Sequence, residues 1–71
     1  MGTETINIVI NGEPREIPAN QCVAALLDWL SISSDRVAVE LNKSIVRKRD
    51  WAEAQIGNGA RIEIVEFVGG G

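Results

Sequence analysis

The fold of this protein is decided by the last part of its sequence, which reads Ile62-Glu63-Ile64-Val65-Glu66-Phe67-Val68 and continues into Gly69-Gly70-Gly71. A run of β-branched and apolar residues predicts a strand that is at least partly buried in a small sheet. Three successive glycines cannot sustain a strand or a helix, because glycine loses much conformational entropy on ordering and has no side chain to pack. We therefore expect a flexible tail over residues 69–71 that presents bare main chain and a terminal carboxylate. The alternative is a frayed end without function.

Length, charge and cysteine content limit what the chain can be. Its 71 residues predict a single domain over residues 1–71 with a small core. The net charge of −3 argues against nucleic acid or an anionic membrane as the main partner. Apolar runs are too short for a membrane span, and the single cysteine fits a reducing compartment. We therefore expect a cytoplasmic protein.

The first part of the chain reads as a hairpin. Apolar residues alternate over residues 5–10, which predicts a strand, and Asn11-Gly12 is a strong turn signal because both residues tolerate positive φ. The return strand is predicted at residues 15–17. Prolines on both of its sides place this strand at a sheet edge.

A helix is predicted from about Gln21 to Leu30, with Asn20 as its N-cap. Its apolar stripe follows the helical spacing i, i+3, i+4 and i+7. We expect Cys22 and Trp29 to widen this stripe, so that Cys22 is a buried core thiol. The stripe consists of Val23, Leu26, Leu27 and Leu30.

The second half predicts three more strands. Residues 37–41 alternate, residues 45–46 form a short strand, and the last strand covers about residues 60–68. Asp50 begins a predicted capping box for a short helix that ends near Ile56. The whole order predicts an α+β fold of the β-grasp (ubiquitin-like) type, a mixed sheet packed against one main helix with the first and last strands parallel and adjacent.

Alternation along the last strand predicts two different faces. If Ile62 and Ile64 point to the core, Val65 and Phe67 point to solvent just before the tail. Exposed apolar side chains in that position suggest partner docking. A bulge that turns Phe67 inward is the alternative.

The composition offers little for catalysis. Histidine is absent, and acidic residues are scattered without a facing pair, so we expect no catalytic residues, no metal site and no bound cofactor. The basic run at residues 47–49 is interpreted as a solvated edge, with a docking patch as the alternative. Trp51 is predicted to anchor the core.

The sequence is similar to the ThiS family, the sulfur carriers of thiamine thiazole biosynthesis. Arg47 stands where this family usually has proline, and Asn58 and Ala60 replace the aspartates of its typical Asp-Gly-Asp turn. The similarity is carried by the hairpin at Ile10-Asn11-Gly12, by Leu41-Asn42-Lys43, Ile45-Val46, Trp51-Ala52 and Gly59, and above all by residues 62–71.

The resemblance implies a reaction at the tail. A ThiF-like adenylyltransferase would use ATP to adenylate the Gly71 carboxylate, and a persulfide sulfur donor protein would then convert it to a thiocarboxylate. A thiazole synthase of the ThiG type would take this sulfur. Gly69 and Gly70 would thread through the enzyme's channel, and Val65, Phe67 and Val68 would be docking contacts.

Three other functions remain open at this point. The first is a sulfur carrier for molybdopterin or another pathway. The second is a ubiquitin-like modifier that is conjugated to lysines. The third is a β-grasp interaction module whose glycines are dispensable.

Overall fold

The computed structural model describes residues 4–67. The predicted tail over residues 69–71 and the predicted docking residue Val68 lie outside this range. The α-helix is α1 (Val23–Trp29), and two 3-10 turns cover Ser34–Arg36 and Lys48–Asp50. The strands are β1 (Thr5–Ile10), β2 (Glu13–Pro18), β3 (Gln21–Cys22), β4 (Val37–Leu41), β5 (Ser44–Val46), β6 (Gln55–Ile56) and β7 (Arg61–Glu66).

Five strands form the main sheet in the order β2-β1-β7-β4-β5. The central strand β7 is parallel to β1 and antiparallel to β4, whereas β1 and β2 form an antiparallel hairpin. β2 lies at the edge, as its two prolines predict, since a missing amide donor does least harm there. The predicted mixed sheet with adjacent first and last strands is confirmed.

The core lies between α1 and one face of this sheet. Val23, Leu26 and Leu27 of the helix are buried, as the predicted stripe requires, and each such side chain stabilises the fold by about 1.5–3 kcal/mol. Trp51 is buried as well, and its Nε1–H donates a hydrogen bond of 2.8 Å to the Val46 carbonyl oxygen. Between residues 4 and 67, no helix has the length and hydropathy to cross a bilayer.

The start of the helix differs from the prediction. Asn20 adopts a left-handed φ of 64° and turns the chain, so that Gln21 and Cys22 form β3 and pair with β6. Cys22 is the actual N-cap, because its Sγ accepts a 3.5 Å hydrogen bond from the Ala25 N–H. The thiol is therefore partly exposed at a helix end and is not the buried core cysteine that we expected.

The helix also ends earlier than its pattern suggests. It stops at Trp29, Leu30 is the C-cap, and Ser31 follows with a left-handed φ of 59°. Trp29 is an exposed side chain and does not widen the buried stripe. Leu30 is half-buried against the core.

The short helical segment in the second half begins before the predicted cap. A 3-10 turn covers Lys48–Asp50, and the Ala54 N–H then donates a 3.0 Å hydrogen bond to the Asp50 carbonyl oxygen. Asp50 thus lies inside the turn and is not its N-cap. The segment also ends before Ile56, where the predicted helix was to end, because residues 55–56 form β6 and pair with β3.

The turn before β7 is fixed by two hydrogen bonds to the main chain of Asn7. Asn58 Oδ1 accepts a 2.8 Å hydrogen bond from the Asn7 N–H. The Gly59 N–H donates a 2.7 Å hydrogen bond to the Asn7 carbonyl oxygen. Both polar groups of Asn7 are thereby satisfied, and the turn is fixed against β1.

Candidate docking surface at the end of the last strand

The candidate site lies at the carboxyl end of β7, from which residues 68–71 continue. On one side, β7 is paired with β4 over its length, from Ile62 opposite Leu41 to Glu66 opposite Val37. On the other side, the pairing with β1 ends at the pair Ile10 and Ile62. Beyond that point, this side of β7 needs other hydrogen-bond partners.

The side chain of Asn11 supplies these partners. Its Oδ1 accepts a 2.7 Å hydrogen bond from the Ile64 N–H, and its Nδ2 donates a 3.2 Å hydrogen bond to the Ile64 carbonyl oxygen. Its main-chain N–H donates to the Ile62 carbonyl oxygen at 2.8 Å. The amide of Asn11 therefore continues the β1 edge by one residue after β1 itself has turned away. Asn11 and Gly12 both have positive φ, 50° and 82°, as the predicted hairpin turn requires.

Asn42 has the corresponding role at the other end of β7. It also begins a turn in the left-handed region, with φ 52°, and its Oδ1 accepts a 2.9 Å hydrogen bond from the Arg61 N–H. Its main-chain N–H donates to the Arg61 carbonyl oxygen at 2.7 Å. The two asparagines therefore hold β7 at both ends. The sequence predicted the turn at Asn11, but it did not predict that either side chain would bind β7.

The last described residue is also tied to the body. The Phe67 N–H donates a 2.7 Å hydrogen bond to the carbonyl oxygen of Arg36. This bond extends the β7–β4 ladder past Glu66. The main chain at Phe67 is therefore held in a fixed position beside β4.

The outward face of the sheet carries exposed apolar side chains. Val65 is 54% exposed and Phe67 is 58% exposed, so the alternation-based expectation is confirmed and the inward bulge is excluded. The sequence analysis missed Ile45, which is 73% exposed on β5. The strand register places Ile45 opposite Glu40, and Glu40 opposite Glu63, so these three side chains share the outer face with Val65. We call Glu40, Ile45, Glu63, Val65 and Phe67 the outer patch.

A cleft of about 400 Å³ lies on the opposite face of the sheet, beside the same end of β7. Leu30 and Ile32 form its apolar wall, and Arg15 and Glu66 line its rim. It is a wide groove beside the helix end and brings no reactive groups together. We assign it no chemistry.

Residues 4–67 contain no cluster of three or more metal-ligating side chains. The side chains of residues 47–49 are exposed, with Lys48 3.7 Å from Asp35 and Arg49 3.9 Å from Asp50. Such exposed pairs stabilise proteins little, and the basic run fits the predicted solvated edge.

Comparisons with known proteins point to one family. Residues 8–71 match the ThiS family. A crystal structure of the thiamine biosynthesis protein ThiS from Geobacter metallireducens is similar with a TM-score of 0.81 and 28% identity, covering 93% of this chain and 100% of that one.

Two relatives in sequence are also informative. The thiazole synthase of Paramagnetospirillum magneticum is 46% identical over 66 residues, which cover 93% of this chain. This chain spans 20% of the length of that protein. The uncharacterized protein ycf40 of Porphyra purpurea is 34% identical over 71 residues, the full length of both chains. The chain belongs to the ThiS family.

Proposed function

We propose that this protein carries sulfur as a thiocarboxylate on Gly71 and delivers it for the thiazole ring of thiamine. The observation that carries the proposal is the exposure of Val65 and Phe67 on the strand that leads directly into Gly69-Gly70-Gly71. The family match, which extends through residue 71, supports the same assignment. The similarity to a thiazole synthase supports thiazole formation as the destination of the sulfur.

The chemistry begins with activation of a carboxylate, which is a poor acyl donor. A carboxylate oxygen of Gly71 attacks the α-phosphorus of ATP, pyrophosphate leaves, and a mixed anhydride with AMP results. The terminal sulfur of a persulfide then attacks the acyl carbon and AMP leaves, which gives an acyl disulfide. A second thiol attacks the other sulfur of that disulfide and releases the thiocarboxylate. ATP is thus a co-substrate of a ThiF-like adenylyltransferase and not a cofactor of this chain.

The glycines suit this sequence of reactions. A main chain without Cβ atoms passes through a narrow channel and leaves the acyl carbon of Gly71 open to attack. Gly69 and Gly70 serve as the spacer that threads this channel, and Val68 adds a docking contact at its entrance. Three partners follow: the adenylyltransferase, the persulfide donor and the thiazole synthase. We expect all of them in the cytoplasm.

The proposal is tested with the adenylyltransferase of the same organism by ATP–pyrophosphate exchange. Deletion of Gly71, or Gly71→Val, should abolish exchange and leave the melting temperature unchanged, because the described core does not include this residue. Gly57→Ala is the matched control, since a Cβ at this exposed turn meets no atom within 4 Å. Full exchange by either Gly71 variant would refute the proposal.

A further inference from the structure

We infer that Asn11 is a positioning residue for the activation of Gly71, because its side chain holds the carboxyl end of β7 in the position from which the tail reaches the adenylyltransferase. The inference rests on the proposed function. It goes further by assigning a role in the reaction to a residue of the first hairpin, which is distant in sequence from the tail.

The carboxyl end of β7 is held by different means on its two sides. On the β4 side, main-chain pairing continues to Glu66 opposite Val37, and the Phe67 N–H then bonds to the Arg36 carbonyl oxygen. On the β1 side, the pairing ends before this point. There, the hydrogen bonds that join residues 4–67 to the last part of β7 come from the Asn11 side chain. Without this side chain, one neighbour alone would hold the strand end.

The two bonds of the Asn11 side chain are those that a neighbouring strand would supply. Its Oδ1 accepts from the Ile64 N–H and its Nδ2 donates to the Ile64 carbonyl oxygen, and both bonds are partly buried. Aspartate would place an oxygen in the position of this donor. The residue must also adopt a φ of 50°, which asparagine tolerates better than most residues. Asparagine therefore serves the turn and the strand end together.

The held segment leads directly to the reacting group. It carries Val65 and Phe67 of the outer patch, and four residues follow up to Gly71. These four residues span at most about 14 Å when extended. A strand end that frays in the free protein must be ordered again when the enzyme binds, and fixing main chain costs entropy. This cost falls on binding, so it raises KM and leaves kcat unchanged.

Asn42 provides an internal comparison. It is the same residue type in a similar left-handed turn, with φ 52°, and its Oδ1 accepts a 2.9 Å hydrogen bond from the Arg61 N–H. This bond lies at the start of β7, away from the tail. A positioning role therefore predicts a raised KM when Asn11 is changed and a normal KM when Asn42 is changed. A merely structural role of both residues leaves KM unchanged in both folded variants.

The test measures ATP–pyrophosphate exchange with the adenylyltransferase of the same organism, at a temperature at which circular dichroism shows every variant to be folded. Asn11→Gly should raise KM for the carrier about three- to tenfold and leave kcat unchanged. Asn42→Gly is the matched control and should have the KM of the natural protein. Val23→Ala, which removes a buried side chain of α1, is a second control. It should lower the melting temperature without changing KM.

Amide hydrogen exchange reports on the strand end itself. The Phe67 N–H bonds to Arg36 and not to Asn11, so its protection measures fraying and not the lost side-chain bonds. This protection should fall in Asn11→Gly and stay unchanged in Asn42→Gly.

Three results would overturn this inference alone, provided that the natural protein is activated normally. The first is an unchanged KM in Asn11→Gly. The second is an equal rise of KM in Asn11→Gly and in either control. The third is a raised KM without faster exchange at Phe67. If the natural protein itself is not activated, the proposed function fails and the inference falls with it.

Discussion

Apolar side chains lie on both faces of the chain from Arg61 to Phe67, yet only those on one face are buried in the core. Ile62 and Ile64 are 1% and 8% exposed in the core, whereas Val65 and Phe67 on the other face are more than half exposed. The difference shows that apolar character alone does not tell whether a residue of this segment packs in the core or faces solvent. The inward side chains stabilise the sheet by burial. The outward apolar side chains add no more to the stability of the isolated protein than polar residues at the same positions would.

The largest effect is expected when the inward face is changed. Ile62→Ala should lower the free energy of unfolding by about 2–5 kcal/mol, because it removes apolar contacts and leaves a cavity at the centre of the core. Val65→Ala on the outward face should change it by no more than about 0.5 kcal/mol. Urea denaturation of both variants checks the contrast. If both variants lost the same free energy of unfolding, the inward and outward side chains would contribute equally to stability, which would contradict this contrast.

The next largest effect concerns the two hydrogen bonds by which the Asn11 side chain holds the carboxyl end of β7. Asn11→Gly retains the left-handed turn but removes both hydrogen bonds to Ile64, so we expect a loss of about 1–3 kcal/mol. Amide hydrogen exchange should show Ile64 as the position whose protection falls most. Unchanged protection there would show that the Asn11 side chain does not hold the strand.

The equivalent change at the other end should be smaller. Asn42→Gly removes one side-chain bond, to the Arg61 N–H, and this bond is exposed to water. We expect a loss of about 0.5–1.5 kcal/mol, measured by the same denaturation. If Asn42→Gly lowered the free energy of unfolding as much as Asn11→Gly, this would contradict the claim that Asn11 stabilises β7 more than Asn42 does.

The smallest effect on stability is predicted for Phe67. Phe67→Ser should change the melting temperature by less than about 2 °C, because the ring is exposed. The same variant should raise KM in the exchange assay several-fold. A large drop in melting temperature would show that the ring packs against the body.

Much of the fold could be predicted from local patterns. The alternation over residues 5–10 and 37–41, the turn at Asn11-Gly12 and the inward direction of Ile62 and Ile64 are confirmed. Each depends on residues close together in sequence.

The predictions failed where distant pairing competed with local propensity. Asn20 has the residue type of a helix cap, but the pairing of β3 with β6 delays the start of α1 to Val23 and places Ile56 in a strand. Asp50 also has the residue type of a cap, but the 3-10 turn already begins at Lys48. The exposure of Ile45 could not be derived, since a three-residue strand offers too little alternation to fix its faces. The contact between Asn11 and Ile64 joins positions 53 residues apart, a separation that no local pattern encodes.

The central claim, that Gly71 carries sulfur, is tested most directly by mass spectrometry. The protein is incubated with ATP, cysteine and a desalted extract of its source cells, and the intact mass and the carboxyl-terminal peptide are measured. The account predicts ATP-dependent exchange of one oxygen for sulfur on Gly71, mapped to that peptide because oxidation of Met1 or Cys22 adds nearly the same mass. An unchanged peptide, while an active carrier is converted in the same extract, would contradict the claim, as would Gly71 found attached to lysines of other proteins.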